Sequence, residues 1–386
     1  MSNLDTWITE RIFHCAREFY AAVLEDVGRA RQSIDLEVYI FDDDALGRRV
    51  ADALKTAAQR KVAVRVMADG FGAREWATRF IPGLLEAGVD ARVFRPMPWA
   101  LLNLATRRIP RLRPMIHLLT SINRRNHRKV WIIDGQIAYV GSINITAHNL
   151  SEAGEGVEWR DTAVRVEGEQ VAALAWGFGR EWTRSWRFRL LRKRYAASLS
   201  LPKPVPPKGL VRLNERGKSR HWLFNDLLHR ISSSERRVWI TNPYFIPARR
   251  LVRDLCMAAE RGVDVRLLVP RNPDVAFVRW ASAAFFKPLL HSGARIFEYL
   301  PHVLHAKLLQ IDDWATIGTS NLNHRSLIHD LEVDLVITHE ESKASLERQF
   351  LLDLRQSVEI TSQALKERSW LGTLAGQILR LFHYWM

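Results

Sequence analysis

Two histidines and two lysines occupy matching positions in this chain: His127 with Lys129 in HRKVWIID, and His305 with Lys307 in HAKLLQID. Each pair opens a His-x-Lys-x4-Asp pattern, closing on Asp134 in the first copy and on Asp312 in the second. A Gly-[Ser/Thr]-x-Asn run follows each, carrying Ser142 and Asn144 first, then Thr319 and Asn321. In an extended segment residues i and i+2 share a face, so each histidine points the same way as its lysine. A lone His-x-Lys says little, but two copies in register inside a longer repeat define a paired site.

Displacement at a phosphate ester needs a nucleophile, an acid for the leaving oxygen, and positive charge where the non-bridging oxygens become more negative. Neutral imidazole can attack phosphorus and imidazolium can protonate an alkoxide, so two histidines around one phosphate supply both roles. The two lysines and the Gly-[Ser/Thr]-x-Asn side chains supply charge and donors, and no metal or cofactor is required. A histidine in this role also wants a carboxylate on its other ring nitrogen. Aligning RDTAVRV with LEVDLVI offers Asp161 and Glu332, with Glu155 and Glu158 competing for the first place. Asp134 and Asp312 count with the catalytic set as members of the motif. Their place seven residues after the histidine, on the opposite parity, reads instead as a turn or ion-pair role.

The elements that must position these residues are repeated too. LEVYIF (36–41) is echoed by TNPYFI (241–246), AAQRKVAVRVMAD (57–69) by AAERGVDVRLLVP (258–270), and LLEAGVDARVF (84–94) by LLHSGARIF (289–297). Echoes in one order mean two homologous halves. Leu46, Val50, Leu54 and Ala58 recur at helical spacing behind an acidic cluster, and the matching helix over 251–261 ends at Gly262, a favourable C-cap. Strand and helix alternate in each half, which predicts an α/β fold with a parallel or mixed sheet. The predicted division is a first half over 1–200, a proline-rich connector at 201–209, a second half over 210–360, and a C-terminal segment over 361–386. The first half carries 39 positions between Gly88 and His127 where the second has 12 between Gly293 and His305. The extra residues form a basic, apolar insertion at about 97–125.

With 386 residues and a formal net charge of +15, the chain is a folded protein suited to polyanionic partners, either nucleic acid or an anionic lipid surface. Cys15 and Cys256 read as buried thiols in a reducing compartment. The N-terminus is too charged for a secretory signal, and no run of 18 apolar residues predicts a spanning helix.

The paired motifs resemble those of the phospholipase D superfamily, over about residues 34 to 337. NPYFIP (242–247), AAERGVDVRLLVP and LHAKLLQIDDWATIGTSNLNHRS (304–326) are similar to bacterial cardiolipin synthases, in particular the short type without N-terminal transmembrane helices. The resemblance implies two α/β/α halves about a pseudo-twofold axis with the active site between them. It also implies phosphatidyl transfer through a covalent phosphohistidine, His127 as nucleophile and His305 as general acid. The residues themselves leave that order open. One departure is a second motif one residue shorter between Asp312 and Gly318 than between Asp134 and Gly141.

Superfamily membership leaves the phosphodiester open, since phospholipases and nucleases share such a centre. WGFGREWTRSWRFRLLRKRY (176–195) interleaves Trp176, Trp182 and Trp186 with arginines, which suits an anionic headgroup layer and equally suits single-stranded nucleic acid or plain packing. SWLGTLAGQILRLFHYWM (369–386) has one fixed charge, Arg380, and favours lipid. The expected protein is therefore a cardiolipin synthase, with phosphatidylglycerol as donor and a second phospholipid as acceptor. It would lie peripherally on the cytoplasmic face of a bacterial membrane, with anionic phospholipids as partners. A hydrolase of the same superfamily and a non-catalytic binder of anionic membranes are the alternatives.

Overall fold

The computed structural model describes residues 6–96, 124–150, 158–185, 209–215, 217–275 and 277–366. Most of the basic insertion, residues 201–208 of the connector, Glu155, residues 186–195 and residues 367–386 of the C-terminal segment lie outside the described residues.

The first sheet contains β1 (Thr9–Phe13), β2 (Ser33–Val38), β3 (Ala63–Asp69), β4 (Asp90–Phe94), β5 (Val130–Ile133), β6 (Ile137–Gly141) and β7 (Ala163–Glu167). The second contains β8 (Val211–Asn214), β9 (Arg237–Thr241), β10 (Asp264–Pro270), β11 (Arg295–Tyr299), β12 (Leu308–Ile311), β13 (Trp314–Gly318), β14 (Glu332–Ile337) and β15 (Ser357–Ile360). Their orders are β1-β7-β6-β5-β2-β3-β4 and β8-β14-β13-β12-β9-β10-β11-β15, the same topology with one added edge strand. β2, β3 and β4 run parallel, as do β9, β10 and β11, while the strand within each motif pairs antiparallel with β2 or β9.

Both faces of each sheet are covered, so the central strands read as continuous apolar runs. In β5 the alternation splits the run. Trp131 and Ile133 pack under the outer helices, whereas Val130 and Ile132 join a core shared between the halves. That shared core sets Val140, Val164 and Val166 against Ile317, Val333 and Leu335, together with Phe178 and Trp182 of helix Val171–Arg184. Full burial of each such Val or Leu side chain is worth about 2 kcal/mol, so the halves are bound along a dry seam.

Outer helix Ala45–Gln59 starts where the acidic cluster predicts, with the Asp44 carboxylate accepting the Gly47 N–H at 2.9 Å. It buries Leu46, Val50, Leu54 and Ala57; Ala58, assigned to the stripe by spacing, is half-buried. Its counterpart Arg249–Glu260 ends through Gly262 at φ +90°. The motif glycines Gly141 and Gly318 are demanded by close approach. A Cβ on Gly318 would lie 1.9 Å from Asp334 Oδ1, and one on Gly141 would lie 2.4 Å from Thr162 O.

Candidate active site

Pairing of Glu37 with Val130 sets the start of β5 beside the C-terminal end of β2, so the His127–Lys129 segment emerges at the rim where β2, β3 and β4 finish. Thr241 opposite Leu308 does the same for His305 and Lys307. The halves then exchange chain at this rim. His127 N–H donates to Leu331 O at 3.0 Å, and His305 N–H donates to Arg160 O at 2.9 Å. Each motif segment is thereby bridged to the residue just before the other half's carboxylate.

The carboxylates are the two that alignment offers, and they cross. His127 Nδ1 lies 3.0 Å from both Glu332 oxygens, while His305 Nδ1 lies 2.8 Å from Asp161 Oδ1. With Nδ1 engaged, Nε2 of each ring is the nitrogen left for chemistry. Glu158 is not a competitor, because its carboxylate accepts the Cys15 thiol and the Ala16 N–H.

Ser142 and Thr319, expected at the substrate, hydrogen-bond the carboxylates and their strands. The Thr319 hydroxyl donates to Glu332 Oε2 at 2.5 Å, and the Ser326 hydroxyl donates to Oε1. Ser142 Oγ accepts the Thr162 N–H at 3.0 Å and favours the ionised form of Asp161. Asn144 Oδ1 accepts the Ile40 N–H at 3.2 Å. Asn321 is buried, its N–H donating to Ser326 Oγ, and its Oδ1 has no partner among the described residues.

Each lysine folds back on its own histidine, Lys129 Nζ to His127 O at 2.7 Å and Lys307 Nζ to His305 O at 2.6 Å. Burial, and then mutual repulsion, pulls Lys129 down to about 7, and burial pulls Lys307 down to about 8. Burial and the two lysines push His127 well below the ordinary histidine range. His305 is lowered by burial and by Lys307, with Asp161 opposing. Burial lifts Glu332 to about 7 against the pull of Lys129. Burial also works to raise Asp161, but His305, Lys307 and Ser142 outweigh it and hold this carboxyl below its usual range. Four cation-capable groups are thus held together in a dry place, an arrangement that an anion would relieve. Burial favours the neutral form of both rings, and the two sides differ in their carboxyls: Asp161 is held below its usual range beside His305, whereas Glu332 is lifted beside His127.

Asp134 and Asp312 are kept out of this cluster. They stand at the far ends of β5 and β12, beyond a four-residue strand about 13 Å long. Asp134 accepts the N–H groups of Arg31, Gln32 and Ser33, and Asp312 accepts those of Glu235, Arg236 and Arg237. Arg125, at the end of the basic insertion, is buried, its N–H donating to Asp330 and its guanidinium to Arg95 O. Trp182 likewise packs inside, with the Arg92 guanidinium 3.8 Å from its ring centre. Residues that spacing did not single out complete the site: Tyr39 edge-on to His127 at 4.9 Å, Trp159 at 5.3 Å and Tyr244 at 6.4 Å from His305. Tyr39 and Tyr244 share one place in the first echo, a signal present in the repeat.

Two like halves that meet around two histidines and two lysines form the architecture of a phospholipase D-like enzyme. The family model described as "Cardiolipin synthase, PLD-like domain" matches residues 23–176 and 227–354. The cardiolipin synthase of Halalkalibacterium halodurans is 32% identical over 357 residues, spanning 92% of this chain and 67% of the relative. That of Alkalihalophilus pseudofirmus is 33% identical over 369 residues, spanning 95% and 70%. The chain belongs to the cardiolipin synthase family of phospholipase D-like enzymes. In fold it is also similar to a phosphatidylserine synthase of Haemophilus influenzae, with a TM-score of 0.69 at 12% identity over 98% of this chain and 94% of that one. A polyphosphate kinase of Porphyromonas gingivalis gives 0.62 at 14% identity, over 97% and 53%.

Proposed function

We propose that this chain transfers a phosphatidyl group from phosphatidylglycerol to a hydroxyl of a second phospholipid, making cardiolipin through a phosphohistidine. The observation that carries the mechanism is the crossed and unequal pair of histidine–carboxylate contacts. His127, kept neutral by burial and by the lysines, attacks phosphorus through Nε2. His305, whose positive form ionised Asp161 stabilises, gives its proton to the departing glycerol oxygen. The P–O bond to glycerol breaks as the N–P bond forms. A hydroxyl of the second lipid then attacks the phosphohistidine, His305 takes its proton, and His127 is released. Lys129 and Lys307 face the charge on the non-bridging oxygens. The line of the reaction follows the pseudo-twofold relation, one histidine on each side of the phosphorus.

The net charge of +15 and the family's lipid chemistry support binding at an anionic membrane surface. Among the described residues no helix is long and apolar enough to cross a membrane. We place the protein peripherally at the bacterial cytoplasmic membrane, on its cytoplasmic face. The deciding experiment incubates purified protein with labelled phosphatidylglycerol, with and without phosphatidylethanolamine, and identifies the lipid products. Cardiolipin is expected; phosphatidic acid alone would replace transfer with hydrolysis.

A further inference from the structure

The repeat sets a tyrosine beside each site histidine, but among the described residues only Tyr244 of the two is hydrogen-bonded to a carboxylate. Tyr244 follows β9 as Tyr39 follows β2, and its hydroxyl donates to Asp274 Oδ2 at 2.5 Å. The pair stands where the second-half rim meets solvent, since Asp274 is exposed while Tyr244 runs inward from it to His305.

The position of this pair follows from the direction of the reaction, and so rests on the transfer reading above. In an in-line displacement the entering nitrogen and the departing oxygen stand on opposite sides of phosphorus. With His127 attacking, the alcohol that leaves is on the His305 side. The alcohol that enters in the second step must use the same place, because His305 serves both. Around His305 that place is walled by Trp159 and Tyr244, with Asp274 at its outer edge. Asp274 lies within the field of the site, since its charge helps raise the proton affinity of His305 and Lys307.

A carboxylate here is of no use to a phosphate, which it repels. It is an acceptor for hydroxyl groups, and Tyr244 engages Oδ2 while leaving Oδ1 to accept. We propose that Asp274, held by Tyr244, forms an alcohol subsite on the His305 side that accepts hydrogen bonds from the hydroxyls of a glycerol headgroup. One subsite then reads the glycerol of the donor as it leaves and the glycerol of the acceptor as it enters. A site built to bind a hydroxyl discriminates against the analogue without one far better than an apolar pocket can.

The test compares two donors in mixed micelles, phosphatidylglycerol and phosphatidylpropanol, which has the same three headgroup carbons without the free hydroxyls. The wild-type protein should consume phosphatidylglycerol with the higher kcat/KM. Asp274→Ala, at an exposed position, and Tyr244→Phe should each cut that preference by about tenfold, the worth of one charge-assisted hydrogen bond. Any loss through the proton affinity of His305 falls on both donors and cancels in the ratio. A preference unchanged in both variants, or absent in the wild type, overturns the subsite and leaves transfer standing. A wild-type protein that consumes neither donor overturns the transfer reading and the subsite with it.

Discussion

His305 Nδ1 lies 2.8 Å from Asp161 Oδ1, although 144 positions separate the two residues and they belong to different halves. The reciprocal contact joins His127 to Glu332 across 205 positions. Neither half holds a complete histidine–carboxylate pair of its own, so the chemistry exists only when the seam of Val140, Val164, Ile317 and Val333 has closed. This ties catalytic competence to the packing of the whole molecule.

The unequal partners predict unequal mutants. His305→Ala removes only the proton donor, so a phosphatidyl donor with a p-nitrophenol leaving group, which departs without help, should still release one equivalent of p-nitrophenolate per enzyme. With phosphatidylglycerol the same variant should lose about 10³-fold in rate. His127→Ala should release no burst with either donor. Rapid-mixing absorbance measures the burst, and a burst from His127→Ala but not from His305→Ala would reverse the roles.

The depressed lysines predict proton uptake on binding an anion. At pH 8.5 Lys129, at about 7, and Lys307, at about 8, are both largely neutral in the free protein. A phosphodiester anion favours their charged forms and lifts both values, so binding of glycerophosphoglycerol at that pH should draw protons from solution. Affinity should fall as pH rises above about 7, first as Lys129 and then as Lys307 loses its proton in the free protein. Calorimetry in two buffers of different ionisation enthalpy reads the uptake directly, and equal heats in the two buffers would mean that neither lysine faces the phosphate.

The repeat made the two sheets legible, because strand identity and order follow from echoes such as AAQRKVAVRVMAD and AAERGVDVRLLVP, which became β3 and β10 with their preceding helices. His127, Lys129, His305 and Lys307 were legible for the same reason. The crossing of Asp161 and Glu332 was not, since an alignment of halves says which residues correspond and nothing about which half each one serves. The hydrogen bonds of Ser142 and Thr319 were not legible, because a hydroxyl near a motif looks the same whether it faces ligand or a buried carboxylate. The burial of Arg125 and Trp182 was not legible, because arginine–aromatic composition does not distinguish a membrane face from a buried guanidinium network.

Comparing the halves also exposes a local mismatch. Lys61 has φ 71°, whereas its counterpart Gly262 has φ 90° without a side chain to strain. The left-handed region costs an ordinary L-residue about 1 kcal/mol, and both positions follow a helix end where glycine is favoured. Lys61→Gly should therefore stabilise the protein by about 0.5 kcal/mol, after allowing for the added freedom of the unfolded chain. Gly262→Lys should destabilise it by about 1 kcal/mol. Denaturant midpoints of the two variants check the pair of signs, and a destabilised Lys61→Gly would show that the lysine side chain compensates.

The motif aspartates should behave as structural residues in spite of their place in the pattern. Asp134 takes three backbone N–H groups at the entrance to β2, and Asp312 takes three at the entrance to β9. Partial burial works to raise both carboxyls, but these N–H groups prevail and hold them below the ordinary aspartate range. A carboxyl lowered on folding stabilises fully above its unfolded pKa, and the contribution is lost as acid protonates the folded state. Asp134→Ala and Asp312→Ala should each cost about 2 kcal/mol at neutral pH. The penalty relative to wild type should shrink only as the pH drops through the acid side of the aspartate range. Active-site titration with the p-nitrophenol donor then gives the rate per folded molecule, which should stay within about threefold of wild type, well short of the 10²-fold or greater loss expected for a removed proton-transfer group. A large fall in that rate, with the fold intact by circular dichroism, would return the two aspartates to the chemistry.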